Sequence, residues 1–262
     1  MITSLQNTLV KQLRKLHRGK ERQAQGVFLV EGTHLLEVVC GTDRLIATLC
    51  CTDDWQVAHP ELWAQAQGRS QRVELVSPEV LRAIATTVAP DGVVFTLAHG
   101  PTVMPHFTHL GIALETIQDP GNLGTIIRTA AAVGAEGLLL SEDCADWAQP
   151  KVLRASAGHG LTLPLRTTPT LADDLTEYQR GGVQIVATLP TAPLTYWEVD
   201  LTPPTLLLLG NEGAGLSATL AAIADVHVKI PLAPGVESLN VAIANALILY
   251  EIKRQREAQL RR

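Results

Sequence analysis

The chain contains few aromatic residues, few charged residues and no long apolar run. Aromatic residues make up 4% and charged residues 18% of its 262 positions, whereas hydrophobic residues make up 46%. Such a composition indicates a folded globular protein rather than a disordered one, with a core built from Leu, Val, Ile and Ala. Because no apolar stretch approaches the roughly 18 residues of a membrane span, we expect no membrane-spanning segment.

Cysteine is also scarce. The four cysteines show neither the spacing of metal ligands nor the framework of a secreted disulfide-rich domain. They are Cys40, Cys50, Cys51 and Cys144. We therefore expect no metal site and a reduced, cytoplasmic protein.

The net charge of −5 argues against a nucleic-acid-binding protein, but the basic residues are concentrated at the two ends. Residues 1–26 carry six basic residues and one acidic residue, and residues 251–262 carry five and two. Local basic faces, not the total charge, determine contact with phosphates. From charge alone, phosphate-binding surfaces and solvated helical ends remain equally open. The candidate phosphate-binding residues near the start are Lys11, Arg14, Lys15, Arg18 and Arg22.

The first hundred residues read as a small α/β domain. Residues 4–26 are predicted to form one basic amphipathic helix, since leucines recur there at helical spacing. An organelle transit peptide is the alternative, which the direct continuation into the strand-like residues 27–30 argues against. Apolar runs and helical stretches then alternate, so we predict a domain over residues 1–98, and the Pro- and Gly-containing residues 99–108 are predicted to be a linker.

The rest of the chain, residues 109–262, reads as a second α/β domain in which strands alternate with helices. This order predicts a parallel sheet that is covered on both faces. The predicted strands are residues 110–116, 137–140, 183–187, 205–209 and 226–230. The predicted helices are residues 123–133, 150–157, 170–180 and 216–223.

The first motif, DPGNLGTIIR, follows a predicted strand and opens a helix. Gly121 and Gly124 allow close backbone approach, and Asn122 can cap the helix. The GxGxxG fingerprint of dinucleotide-binding proteins is absent. Arg128 lies in an otherwise apolar helix, where it could bind a phosphate or orient a substrate hydroxyl. A surface arginine or a structural ion pair is the alternative.

The second motif, LLLLGNEGAGLS, is a buried strand followed by a glycine-rich loop. Leu216 stands where a phosphate-binding loop would carry its lysine, which argues against nucleotide hydrolysis. The loop suits backbone contacts to a nucleoside, with Glu212 shaping the turn or holding a polar group. A simple turn between strand and helix is the alternative.

The third motif, KIPLAPGVESLNVAIANALILY, joins a strand end, a turn and a long apolar helix. Ser238 is predicted to be the N-cap of that helix. Ser238 and Asn240 are polar side chains at the kind of strand-to-helix junction where α/β proteins bind ligands.

Together with PKVLRASAGHGLTLPL, the three motifs resemble the SpoU (TrmH) family of RNA ribose 2'-O-methyltransferases in the SPOUT superfamily. The N-terminal stretch ITSLQNTLVKQLRKLHRGKERQAQGVFLVEGTHLL resembles the substrate-binding domain of many members, which looks like a ribosomal-protein RNA-binding fold. The resemblance covers most of the chain and is weakest between Thr42 and Phe107. It implies an α/β trefoil-knot catalytic domain with a parallel sheet, S-adenosylmethionine as the methyl donor, and a homodimer.

The resemblance also implies functional residues. The implied catalytic residues are Asn122, Arg128, Glu212, Ser238 and Asn240. The implied cofactor-binding residues are Leu209, Gly210, Asn211, Ile230, Pro231, Ser238, Leu239 and Asn240. Arg128 and Arg154 join the N-terminal basic residues as implied RNA contacts. Residues 146–149 depart from the more aromatic-rich stretch that usually precedes the equivalent of Pro150.

The implied reaction is attack of a ribose 2'-oxygen on the sulfonium methyl group. Because a guanidinium holds its proton far above neutral pH, we expect Arg128 to stabilise charge on a phosphate or alkoxide rather than to act as a base. The 2'-hydroxyl distinguishes RNA from DNA, so RNA is the expected substrate, and the basic N-terminal helix with a separate domain favours a structured RNA. The two-domain layout resembles that of rRNA-modifying family members, which implies 23S-type ribosomal RNA first, with tRNA second because some relatives act there. A non-catalytic ribosome-assembly factor and a small-molecule methyltransferase are the alternatives. The presence of Asn122, Arg128 and Ser238 argues against the former, and the basic N-terminus against the latter.

Overall fold

The computed structural model describes residues 1–100 and 104–260, so residues 101–103 of the predicted linker and residues 261–262 lie outside it. The α-helices are α1 Thr8–Lys15, α2 Gly19–Gln25, α3 Thr33–Cys40, α4 Asp53–Ala58, α5 Pro60–Gly68, α6 Pro78–Ile84, α7 Pro120–Val133, α8 Pro150–Ala155, α9 Leu171–Arg180, α10 Ala218–Ile223 and α11 Val241–Leu260. The strands are β1 Val27–Glu31, β2 Ile46–Cys51, β3 Val73–Leu75, β4 Val93–Ala98, β5 Leu110–Leu114, β6 Gly137–Ser141, β7 Leu165–Thr168, β8 Gln184–Thr188, β9 Leu194–Thr195, β10 Thr205–Leu209 and β11 Val226–Lys229. A 3₁₀ turn spans His159–Leu161.

The chain divides into two compact units, and each unit is made of two segments that are separate in sequence. The first unit is Met1–Pro101 with Asp146–Thr162, and the second is Thr102–Ala145 with Leu163–Arg262. The predicted domains did not include this exchange, because residues 146–162 were assigned to the second domain on sequence order alone.

The first unit is built on a four-stranded sheet, within the residues described, in the order β1-β4-β2-β3. Strand β4 pairs antiparallel with β1 and β2, and β3 pairs parallel with β2. Side chains alternate between the two faces of a strand. Thus Phe28 and Cys51 pack into one apolar cluster, and Leu29 and Cys50 into another. Both faces of the sheet are therefore covered.

The segment 146–162 completes one of these two cores. Ala148, Leu153 and Leu161 are at most 3% exposed and belong to the same cluster as Phe28 and Phe95. Without this segment, the side chains on that face of the sheet would lose part of their cover.

Two ion pairs hold the segment in the first unit. Arg22 is 3% exposed, and its Nη2 and Nε lie 2.5 and 3.0 Å from Asp146 Oδ2. Arg154 Nη1 donates to Glu31 Oε1 at 2.8 Å, and Glu31 is 3% exposed. The Glu31 carboxylate also accepts hydrogen bonds from the backbone N–H and hydroxyl of Thr86. Residues 146–162 thus supply the ion-pair partners of two buried charged residues, Arg22 and Glu31.

The prediction of one helix over residues 4–26 is wrong. The chain forms α1 and α2, separated by a break at residues 16–18, where Arg18 takes an extended conformation. Gly26 ends α2 in the left-handed conformation (φ 64°), which glycine adopts without steric penalty. The leucine spacing is the same in one helix or in two, so the periodicity did not reveal the break.

The second unit contains a seven-stranded sheet in the described part of the chain, in the order β7-β6-β5-β10-β8-β11-β9. Every pairing in it is parallel. The predicted α/β fold with a parallel sheet is confirmed. Strand β10 coincides with the predicted residues 205–209, whereas β5 ends two residues early because Thr116 adopts a left-handed conformation (φ 56°).

Helix α4 and strands β7 and β9 were not predicted. They are short, and β7 and β9 are partly polar, so they lack the apolar run or alternation from which a strand is recognised. None of the helices in residues 1–100 and 104–260 has both the length and the apolar composition needed to cross a bilayer.

Candidate active site

A cavity of about 300 Å³ opens where three adjacent strands of the second unit end. Because β10, β8 and β11 are parallel neighbours, their carboxyl ends meet at one edge of the sheet. The walls come from residues 188–190 after β8, residues 209–213 and 215 after β10, residues 230, 232 and 237–239 after β11, and Val241 and Ala244 of α11. The volume lies at the lower end of the range for small-molecule pockets.

Most of the predicted cofactor-binding residues meet in this cavity. Those that line it are Leu209, Gly210, Asn211, Ile230, Ser238 and Leu239. Pro231 and Asn240 are not part of its wall, although each adjoins a residue that is.

The loop after β10 is a tight turn with little freedom. The backbone N–H groups of Asn211 and Gly215 each donate to the carbonyl oxygen of the other at 3.0 Å. Asn211 Oδ1 accepts from the N–H groups of Gly213 and Ala214 at 2.9 Å, and its Nδ2 donates to Thr116 O at 2.8 Å. A Cβ at residue 210 would lie 2.3 Å from the carbonyl carbon of Gly215, so only glycine fits there. The turn therefore presents its backbone to the cavity in a fixed shape.

Three of the predicted catalytic residues form one hydrogen-bonded chain. Asn240 Nδ2 donates to Asn122 Oδ1 at 2.9 Å, and Asn122 Nδ2 donates to Glu212 Oε1 at 3.0 Å. Asn211 Nδ2 lies 3.4 Å from the other oxygen of Glu212. The starts of α7 and α11 and the loop after β10 are thereby connected beside the cavity.

Two predicted helix caps are wrong. Asn240, not Ser238, caps α11, since its Oδ1 accepts from the N–H groups of Ala242 and Ile243 at 2.9 and 3.3 Å. Asp119, not Asn122, caps α7, accepting from Asn122 N at 2.9 Å. Ser, Asp and Asn are all good caps, so local sequence did not distinguish between neighbouring candidates. Because Ser238 and Asn122 do not cap these helices, their side chains can take part in the site.

Arg128 is exposed on α7, six residues after Asn122. At 1.5 Å per residue, it lies about 9 Å further along the helix axis. It is not part of the cavity wall, and it makes no hydrogen bond or ion pair with any residue among 1–100 and 104–260. The alternative for Arg128 was a structural ion pair, and no described residue provides a partner for it.

The predicted RNA-binding residues of the first unit fall into two groups. Lys11, Arg14, Lys15 and Arg18 are exposed. Arg22 and Arg154 are bound to Asp146 and Glu31 instead. We remove Arg22 from the predicted RNA contacts because its guanidinium is buried, and we assign Arg154 a structural contact.

The cavity is acidic. Glu212 and Glu237 belong to its wall, and no Lys, Arg or His is found among the described residues that line it. Two carboxylates favour a ligand that carries positive charge, as the sulfonium and ammonium groups of S-adenosylmethionine do. No group of three or more His, Cys, Asp and Glu that could hold a metal ion occurs among the residues described.

Several wall residues were missed from the sequence. Glu237 lies beside the predicted Ser238 but was not singled out, and residues 188–190 directly follow a strand that was predicted. The rule that the carboxyl ends of parallel strands meet at one edge points to residues 188–190. To apply this rule, however, one has to know that β8 lies between β10 and β11 in the sheet.

Comparison with known proteins places this geometry in a family. A family model described as the SpoU rRNA methylase family matches residues 109–250, and one described as an MRM3-like substrate binding domain matches residues 7–94. The chain is 49% identical to an uncharacterised tRNA/rRNA methyltransferase of Synechocystis sp., over 98% of this chain and 94% of that protein. It is 31% identical to the 23S rRNA (guanosine(2553)-2'-O)-methyltransferase RlmP of Bacillus subtilis, over 96% and 98% of the two chains.

Solved structures agree. An AdoMet-bound rRNA methyltransferase from Sinorhizobium meliloti matches with a TM-score of 0.86 and 34% identity, covering 97% of each chain. The resemblance seen in the three motifs is confirmed. The chain therefore belongs to the SpoU rRNA methylase family, as an S-adenosylmethionine-dependent RNA (ribose-2'-O)-methyltransferase.

Proposed function

We propose that this enzyme methylates a ribose 2'-hydroxyl in 23S-type ribosomal RNA. The observation that carries the proposal is the acidic cavity together with the chain of hydrogen bonds from Asn240 through Asn122 to Glu212. The similarity to the 23S rRNA methyltransferase of Bacillus subtilis extends over both units, which supports ribosomal RNA rather than tRNA.

We assign the cofactor to the 300 Å³ cavity. Backbone groups of residues 209–211 would contact the adenosyl part, and Ile230 and Leu239 would form its apolar walls. Ser238 would hold the amino-acid part, since its hydroxyl is not used as a helix cap. Glu212 and Glu237 would attract the cationic groups. Pro231 and Asn240 do not line the cavity and would support the neighbouring wall residues.

S-adenosylmethionine, when bound, supplies a methyl group that is already activated. The protein therefore has to position the 2'-oxygen and stabilise the charge that develops on it. Asn122 and Asn240 can orient polar groups beside the cavity because their amides are held by the hydrogen-bonded chain. Arg128 is unpaired among the described residues, so we assign its guanidinium to a phosphate or to the developing alkoxide.

The first unit would dock the RNA through phosphate contacts. Lys11, Arg14, Lys15 and Arg18 are exposed on or just after α1, where they can neutralise phosphates. These contacts give affinity and orientation rather than base specificity.

A homodimer is part of the proposal. Helix α11 exposes Ile243, Leu247 and Tyr250 at 51%, 39% and 53%, and the spacing of these residues places them on one face. An apolar stripe of this kind is typical of a protein interface, and we assign it to a second copy of the chain. Replacing Leu247 by Glu should convert the dimer to a monomer in analytical ultracentrifugation, whereas a dimer that persists would exclude this face.

We also propose the trefoil knot of the SPOUT superfamily for the second unit, and a cytoplasmic enzyme. The knot is supported by the three motifs in family order, and an experimental structure would check the path of the chain. The cytoplasmic location is supported by the four cysteines, all of which are free. Fractionation of cells would check it.

The central experiment is to incubate the enzyme with methyl-labelled S-adenosylmethionine and either ribosomal subunits, protein-free 23S rRNA or bulk tRNA, and then to map the labelled nucleotide. We expect label at one ribose of 23S rRNA, and much less with the Arg128→Ala variant. Label in tRNA alone would favour the tRNA alternative. Cofactor binding without label in any RNA would favour the assembly factor.

A further inference from the structure

Trp197 is the most exposed of the four tryptophans in a chain with few aromatic residues. Its side chain is 53% exposed, whereas Trp55 is 2% exposed and Trp63 and Trp147 are partly buried. Tyr196 packs beside it, with ring centroids 4.9 Å apart and planes inclined by 59°. Leu194, 43% exposed, adds apolar surface nearby. A single exposed apolar residue needs no explanation, but Trp197 is held in a fixed turn beside the cavity.

A closed turn holds the two aromatic residues. Glu198 N donates to Thr195 O at 3.0 Å, which places Tyr196 and Trp197 at the two central positions of a four-residue turn. The Glu198 carboxylate accepts from Thr195 N and Oγ1 at 2.7 and 2.6 Å. After the turn the chain is anchored by Val199 and Leu201, which are 9% and 0% exposed. Trp197 is therefore presented on a preorganised turn.

The turn lies next to the wall of the cavity. Strand β9 pairs parallel with β11, with Thr195 opposite Lys229. Tyr196 N continues this pairing by donating to Lys229 O at 3.1 Å. The residue that follows Lys229 is Ile230, which lines the cavity. The aromatic pair thus follows the carboxyl end of β9, at the edge of the sheet where the cavity opens.

An unpaired RNA base is the occupant that this surface fits. Bases stack on exposed aromatic side chains in proteins that bind single-stranded or looped RNA, and every base offers a flat face for the contact. Sequence-specific proteins mostly recognise RNA at loops, bulges and ends, where the bases next to a target nucleotide are unstacked and free to pack on a side chain. Because hydrogen bonds already close the turn that carries the indole, a base can stack there without the cost of ordering the loop on binding.

We propose that Trp197, supported by Tyr196, is a stacking platform for an unpaired base adjacent to the target nucleotide. The proposal rests on the proposed function, because it takes the cavity beside the turn to be the site of methyl transfer to RNA. It adds a base contact in the second unit to the phosphate contacts of the first.

The experiment compares the wild type with Trp197→Ala, Trp197→Phe and the control Val88→Ala, which alters a residue that is 99% exposed in the first unit. Each protein, saturated with S-adenosylmethionine, is titrated with a ten-nucleotide oligoadenylate and with an abasic ribose-phosphate oligomer of the same length. We expect Trp197→Ala to weaken oligoadenylate binding roughly 5- to 150-fold and abasic binding by less than about twofold. Trp197→Phe should keep most of the affinity, and Val88→Ala should equal the wild type.

Methylation of 23S rRNA provides a second measurement. Trp197→Ala should raise the KM for RNA while leaving kcat and the cofactor Kd unchanged, as expected for loss of uniform binding. The platform is overturned if Trp197→Ala weakens binding of both oligomers equally or of neither. It is also overturned if the wild type does not bind oligoadenylate, or if Trp197→Ala changes the oligomeric mass. The last result would assign the surface to a protein partner.

The two proposals fail separately. If the wild type methylates 23S rRNA and Trp197→Ala behaves like it, only the platform is lost. If the wild type labels no RNA but the base-dependent loss of affinity is seen, the proposed reaction is lost, and Trp197 is left as a base-stacking residue of an RNA-binding protein.

Discussion

Asn240 Nδ2 and Asn122 Oδ1, 118 positions apart in the chain, are joined by a hydrogen bond of 2.9 Å. The other end of the Asn240 amide caps α11 through the N–H groups of Ala242 and Ile243. One side chain therefore fixes both the start of α11 and the orientation of Asn122. Stability and the arrangement of the site should be coupled at this residue.

Replacing Asn240 by Ala should lower the free energy of unfolding by about 1–2 kcal/mol, because α11 loses its cap, and should also reduce methyl transfer at least about tenfold. Urea unfolding and initial rates measure the two effects. Ser238→Ala is the matched control, since Ser238 is not a cap. It should change stability by less than about 0.5 kcal/mol while weakening cofactor binding. An equal loss of stability in both variants would contradict the cap assignment.

Replacing Glu237 by Gln should weaken binding of S-adenosylmethionine roughly fivefold, which is about 1 kcal/mol, because a carboxylate facing the cavity is neutralised. S-adenosylhomocysteine lacks the sulfonium charge, so its affinity should fall less. Isothermal titration calorimetry with both ligands measures the difference. Equal effects on the two ligands would show that Glu237 acts through shape and not through charge.

Replacing Arg154 by Met should lower the free energy of unfolding by about 2–3 kcal/mol, because the nearly buried Glu31 carboxylate loses its cation. The double variant with Glu31→Gln should recover part of this loss, which a double-mutant cycle by urea unfolding measures. RNA affinity should change little when measured well below the melting temperature. Reduced RNA affinity without reduced stability would restore Arg154 to the RNA contacts.

Replacing Arg14 and Lys15 together by Ala should reduce the slope of log affinity against log salt concentration by about 1.5, since two phosphate contacts are lost. Fluorescence anisotropy with a 23S rRNA fragment at several salt concentrations measures the slope. Lys20→Ala is the control, since it removes one exposed positive charge of the first unit that was not assigned to RNA, and it should change the slope by well under the roughly 0.7 expected for one phosphate contact.

Alkaline pH should destabilise the first unit through its buried thiols. Burial raises the pKa of the Cys50 thiol from 9.0 to about 12, with a smaller contribution from the Glu74 carboxylate, and burial likewise raises that of Cys51 to about 12. Because the unfolded thiols ionise near pH 9 and the folded ones near pH 12, the unfolded state binds fewer protons in this window. The free energy of unfolding therefore falls as pH rises from about 9 towards 12.

The Cys50→Ala variant should show a shallower fall between pH 9 and 10.5, by up to about 1.4 kcal/mol per pH unit. Urea unfolding at several pH values measures it. Parallel curves for the variant and the wild type would show that Cys50 ionises in the folded state.

The parallel sheet could be predicted from the sequence because strands such as residues 205–209 are continuous apolar runs bounded by turn residues. The ends of these runs indicated where a ligand could bind, and the family resemblance then implied the cofactor residues Leu209 and Ile230. What local sequence could not decide was which of two neighbouring polar residues caps a helix. At both α7 and α11 the choice depends on where the chain leaves the extended conformation, and tertiary contacts determine that point.

The burial of Arg22 was equally inaccessible. Its neighbours in sequence are polar or charged, and the residue that neutralises it, Asp146, lies 124 positions away. Charge counting treats Arg22 and Arg14 alike. Only the assignment of residues 146–162 to the first unit distinguishes them.

That assignment also determines when the first unit can be completed during synthesis. A ribosome that has released residues 1–100 has released all four strands of the first sheet but not Leu153, Leu161 or the partners of Arg22 and Glu31. The nascent unit must wait for more than forty further residues, among them β5, α7 and β6, before its core can close. An isolated fragment that ends at residue 100 should therefore expose apolar surface and aggregate, and adding residues 146–162 as a separate peptide should restore its solubility.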